Sequence, residues 1–176
     1  PIARRARVPV LSFSNDAGVA GNGTFILGYV PAQSIERVVN FAKRSGISEF
    51  AGIVPSGLYG ERASTAFLRS VEGAGGKVNA LETYDGRPGS MAAAIAKIGR
   101  SPFQAILVAG SAEGAVTAAP LIRRTTSGKA ARLLGTELWN TDSAIGSNAA
   151  LNGAWFASVP DNLYRQYATK YRARFG

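Results

Sequence analysis

The chain has 176 residues, 46% of them hydrophobic, with 21 glycines and 8 prolines, which suits a globular α/β protein with one good core and argues against disorder. It holds no cysteine and no histidine, which removes disulfides, thiolate or imidazole metal ligands, cofactor attachment through either side chain, a Ser-His-Asp triad and imidazole acid–base catalysis within these residues. The net charge of +9 gathers at Arg4-Arg5-Arg7, Arg123-Arg124 and Arg165 to Arg174 without the interleaved aromatics of a base-stacking platform, so no nucleic-acid partner is expected.

In chain order, Val8 to Phe13 is a short apolar run ending in Ser14-Asn15-Asp16, and Gly18, Gly21 and Gly23 then make a flexible loop. Phe25 to Val30 is a second apolar run, stopped by Pro31, which can serve as the first residue of a helix. In that helix Ile35, Val38, Val39 and Ala42 share one face while Glu36, Arg37, Lys43 and Arg44 face away, and Gly46 is placed to close it in a left-handed conformation. A repeating pattern follows: strand near Ala51 to Val54, helix near Gly60 to Glu72, strand near Lys77 to Thr83, helix near Ser90 to Ile98, strand near Gln104 to Ala109, helix near Glu113 to Arg124, and strand near Arg132 to Gly135. Pro120 inside the last of these helices predicts a kink or break. After Trp139 the alternation fails: a polar loop runs from Asn140 to Asn148, with a short helix at Ala149 to Leu151, a final strand at Ala154 to Val159 stopped by Pro160, and a last helix bearing an aromatic stripe at Tyr164, Tyr171 and Phe175. Successive βα units with right-handed crossovers define an α/β fold class: a Rossmann-like, mostly parallel sheet with helices on both faces. The last helix has nothing in the chain to cover its stripe, so a piece of a longer protein is expected.

A parallel sheet sends the carboxyl ends of its strands to one rim, where open α/β folds place ligands. Four such ends carry small or polar residues: Ser14-Asn15-Asp16, Ser56 to Tyr59, Gly110-Ser111 and Thr136-Glu137. Ser56 and Ser111 read first as helix caps. Tyr59 either walls a ligand or packs over the sheet edge, and Glu137 either meets a cationic ligand group or joins a structural ion pair. The glycine-rich stretches match neither G-x-G-x-x-G nor a phosphate loop, and Gly110 to Gly114 lacks the spacing of a nucleophile elbow. No enzyme activity, cofactor or metal is expected.

The Tyr59-Gly60-Glu61 turn, the Gly75-Gly76-Lys77-Val78 step, Tyr84-Asp85-Gly86 and the Ile106 to Gly110 strand together resemble type I periplasmic binding proteins of the leucine/amide-binding family. Pro9 to Asp16, with Val19 to Gly21 and Leu27 to Pro31 behind it, is most similar to the branch of penicillin-binding-protein activator lipoproteins. The resemblance implies a non-enzymatic, two-lobed fold in the periplasm or cell envelope, with residues 31–153 as the second lobe. Residues 1–30 would be a first-lobe strand and hinge segment, and residues 154–176 a return strand and helix toward that lobe. It also implies a ligand site drawn from Ser14, Asn15, Asp16, Tyr59, Ser111 and Glu137, with Glu137 on the ligand's amino group. Ser111 stands where amino-acid binders often carry an aromatic. The implied partner is an amino-acid-like small molecule or an envelope protein such as a peptidoglycan synthase, with any membrane contact made through an anchor outside these residues. The alternatives are the binding component of an ABC importer for amino acids or amides, and the effector core of a transcription regulator, which would need a helix-turn-helix that these residues do not contain.

Overall fold

In the computed structural model, which describes residues 2–14, 16–141, 145–146, 148–159 and 161–176, alternating apolar runs and amphipathic stretches assemble into a five-stranded, entirely parallel sheet of order β4-β3-β5-β6-β7. Its strands are β3 (Glu49–Pro55), β4 (Lys77–Tyr84), β5 (Ala105–Val108), β6 (Arg132–Gly135) and β7 (Trp155–Phe156). They are linked by α3 (Leu58–Gly73), α4 (Ser90–Ile98) and α5 (Ala112–Arg123), and α2 (Pro31–Arg44) precedes β3. After β3 the chain steps outward to β4 and then returns to place β5 on the other side, so the strand order reverses between β3 and β5. The crevice beyond that reversal is where side chains from two diverging loops can face one ligand.

Strand residues alternate between two apolar layers, as a sheet covered on both faces requires. Phe50, Val54, Ala105, Leu107 and Leu134 meet the buried stripes of α2 and α3, including Ile35, Val39, Ala63 and Phe67. Ala51, Ile53, Ile106, Val108 and Leu133 meet α4 and α5 through Ile95, Ile98, Ala118 and Ile122. Gly52 in β3 is a packing glycine: a Cβ there would sit 2.9 Å from the Phe67 ring and 2.7 Å from Leu81.

Outside this unit, β1 (Val10–Ser12) and β2 (Thr24–Ile26) form a separate parallel pair in which Leu11 faces Phe25, both exposed. The four-residue helix α1 (Ile2–Arg5) precedes them, and α6 (Asp161–Phe175) ends the chain. Pro31 opens α2 and Gly46 follows it at φ 89°, as expected.

Two expectations need correction. Pro120 does not break α5, which runs on to Arg123; the proline is exposed in the last turn, where its ring displaces no core packing and few helical residues follow it. The last strand is only Trp155–Phe156 rather than Ala154 to Val159, because β6, its one paired neighbour, is itself only four residues long.

Candidate polar rim at the strand ends

Each residue on the rim is placed by a local rule. β3 ends at Pro55, and the chain turns through Gly57 at φ 92° into α3. Gly57 holds the cap position of that helix with no side-chain bond, so Ser56 is not its cap; the Ser56 N–H instead donates to the Tyr84 carbonyl at 2.7 Å. Tyr59 then projects from the first turn of α3, and its phenol lies 3.0 Å from the hydroxyl of Thr136, a fully buried residue just after β6. Burial raises the Tyr59 pKa above its ordinary value, against the lowering effect of the Thr136 bond, with Glu137 and Tyr84 adding in the same direction as burial. The phenol is therefore a protonated group at any physiological pH.

Glu137 opens the turn Glu137–Thr141. The hydroxyl of Ser34, buried in the first turns of α2, is shared between the Pro31 carbonyl at 3.0 Å and the Glu137 carboxylate. Among the described residues Glu137 has no ion-pair partner. It borders a cavity of about 430 Å³ together with Tyr29, Ser34, Arg37, Asn140 and Ser158.

Ser111 caps α5, accepting from the Gly114 N–H at 3.2 Å, as expected. Asp16 accepts from the Gly18 N–H at 2.8 Å and from the Arg62 guanidinium at 2.7 Å, which ties the loop after β1 to α3 one turn beyond Tyr59. Ser14 accepts from the Asp16 N–H at 3.0 Å and serves that loop. Asn15 lies outside the described residues. The structure thus joins Tyr59 to the Thr136-Glu137 strand end through the Thr136 hydroxyl, joins Asp16 to the same helix through Arg62, and keeps Ser14 in loop geometry.

Three rim residues were absent from the candidates, and Thr136 stood among them only as part of the strand end it shares with Glu137. Ser34 and Thr136 are small buried hydroxyls whose role depends on contacts across 103 and 77 residues of chain. Arg62 could have been found as the i+3 neighbour of Tyr59 on one helix face. Tyr84 could have been found as the end of β4, the strand end left out of the comparison; burial raises its pKa too. Beyond it Asp85 accepts the Arg87 backbone N–H and then its guanidinium, which hold the carboxyl below its usual range. No cluster of potential metal ligands occurs among the described residues, and no helix there is long and apolar enough to cross a membrane.

A doubly wound parallel lobe with polar groups at the carboxyl ends of its strands is an α/β architecture of the kind that places ligands along that edge. The family model for periplasmic binding proteins matches residues 1–176, and the chain belongs to that family. The search of curated proteins returns no match. Among solved structures the chain is similar to a putative branched-chain amino acid ABC transporter from Rhodospirillum rubrum, with 21% identity and a TM-score of 0.73 over 99% of this chain and 53% of that one. It is also similar to an R. palustris solute-binding protein in complex with benzoate, with 16% identity and a TM-score of 0.68 over 99% and 51%. Full-length LpoA from Haemophilus influenzae gives 16% identity and a TM-score of 0.70 over 96% and 32%. The chain spans about half the length of the first solved structures it matches.

Proposed function

We propose that this chain supplies one lobe of a periplasmic solute receptor and that its rim holds the amino end of a small ligand at Glu137. The observation that carries this reading is the row Tyr59–Thr136–Glu137–Ser34: protonated hydroxyls flank one carboxylate that no cation neutralises among the described residues. A carboxylate held in place by a serine hydroxyl suits an ammonium group and repels an anion. Residues 31–153 form the lobe in this reading, while residues 1–30 and 154–176 lead toward a companion lobe, with closure between the two trapping the ligand. It is a binding role rather than an enzymatic one, carried out in the cell envelope, with uptake through an ABC importer as the leading use.

The likeness to LpoA supports a second use of the same fold, docking to an envelope protein such as a peptidoglycan synthase, and Ser111 in place of an aromatic wall favours it. Calorimetry tests the first reading. An α-amino acid such as L-glutamine or L-leucine is expected to bind and benzoate is not, and Glu137→Gln is expected to weaken the amino acid at least about tenfold. Equal affinity in the Glu137→Gln protein would overturn it.

A further inference from the structure

The carboxyl end of β4 delivers a side chain to the rim that neither the fold nor the hydroxyl row requires. We infer that Tyr84 is a specificity-determining residue of the ligand site, closing its α5 side with its ring and offering its hydroxyl to a compact polar group at the far end of the ligand. This inference rests on the reading of the rim as a ligand site.

Three observations converge on it. The Tyr84 hydroxyl stands over the entry to α5: a Cβ at Gly110 would lie 2.8 Å from it and one at Gly114 3.3 Å, beside Ser111. The two glycines make the room that the phenol occupies. The ring packs against the core layer under α4 and α5, which fixes its direction. That hydroxyl makes no hydrogen bond with the described residues, although the side chain is half-buried. The Tyr84 carbonyl accepts from the Ser56 N–H at 2.7 Å, which ties the end of β4 to the turn that carries Tyr59.

The small Ser111 would leave the α5 wall open, and the phenol arriving from β4 fills it. A ligand with its ammonium at Glu137 then meets a rigid ring and one free O–H at its other end. Such a site selects an amino compound ending in a hydrogen-bond acceptor over an aliphatic one of the same size, because the aliphatic partner displaces water from the hydroxyl and leaves it unpaired.

L-glutamine, which ends in a hydrogen-bond acceptor, and L-leucine, which does not, serve as probes in calorimetry with the wild-type protein, Tyr84→Phe and Tyr84→Ala, each checked by its melting temperature. The wild type is expected to favour L-glutamine by about tenfold. Tyr84→Phe, which keeps the ring and therefore the fold, should erase that preference by weakening L-glutamine alone. Tyr84→Ala should in addition improve L-phenylalanine relative to L-leucine by opening the wall. An unchanged L-glutamine to L-leucine ratio in Tyr84→Phe overturns the inference, and so does a wild-type preference for L-leucine; the receptor reading survives either result if Glu137→Gln still weakens binding. Silence of the wild type toward all three amino acids sinks both.

Discussion

Thr136 is fully buried, and its hydroxyl has the Tyr59 phenol as its partner at 3.0 Å. Removing that partner should cost more than an average hydrogen bond, because a desolvated hydroxyl is left with nothing to replace water. Tyr59→Phe is therefore expected to lose about 1–3 kcal/mol of stability, read from urea unfolding. The same contact has a pH signature. With its folded pKa raised above the unfolded value of about 10, Tyr59 keeps its proton in the folded protein while the unfolded chain releases it. Its contribution is complete below about pH 10 and is lost as pH rises beyond that. The urea midpoint of the wild type should fall between about pH 9.5 and 11, and Tyr59→Phe should flatten this decline. Tyr84, raised by burial in the same direction, leaves a residual slope in that variant.

The turn between β3 and α3 shows how an element, rather than a residue, holds the rim in place. Gly60 sits in the first turn of α3 with its Cα against the end of β3, and a Cβ there would fall 1.6 Å from the Pro55 carbonyl oxygen. No rotamer relieves a clash with backbone, so the strand and helix would have to separate and carry Tyr59 away from Thr136. Gly60→Ala is expected to destabilise by about 3 kcal/mol. Gly73→Ala in the last turn of the same helix meets nothing within 4 Å and should be neutral or stabilise by about 0.5–1 kcal/mol. The paired melting temperatures check both. Apolar spacing predicted α3 within two residues at its start, since Ala63, Ala66, Phe67 and Val71 do face the core. Spacing could not show that Gly60 is there for a close approach, or that Gly57 rather than Ser56 takes the cap position. The same limit applies to the rim: Tyr59 and the Thr136-Glu137 pair stand at strand ends and were legible, whereas Ser34 is a buried polar residue of α2 that acquires a role only when the sheet brings β6 beside that helix.

At the scale of the whole molecule the two apolar layers do not reach every element. Residues 31–157 contribute nearly all of the buried hydrophobic side chains, those of both layers included. By contrast Leu11, Phe13, Phe25 and Leu27 around β1 and β2, and Leu163, Tyr164, Tyr167, Tyr171 and Phe175 on α6, are exposed. Tyr167, Tyr171 and Phe175 stack in a row along α6, with ring centroids 5.9 and 4.9 Å apart, and Arg174 of the same helix lies over the Phe175 ring. An isolated helix of 15 residues with no buried face is marginal in water, because its hydrogen bonds alone barely offset chain entropy. Backbone amides of α6 in the 176-residue chain should therefore exchange with solvent orders of magnitude faster than those of α3, whose opening requires loss of the core layer it shares with α2. Hydrogen exchange read by mass spectrometry on dilute protein distinguishes the two cases. Rapid exchange in α6 beside strong protection in α3 and β5 is the expected pattern. Comparable protection in α6 would mean that its aromatic stripe is covered in solution, and a concentration dependence of that protection would identify self-association as the cover, since an apolar stripe of this kind gains by burying itself against a second copy.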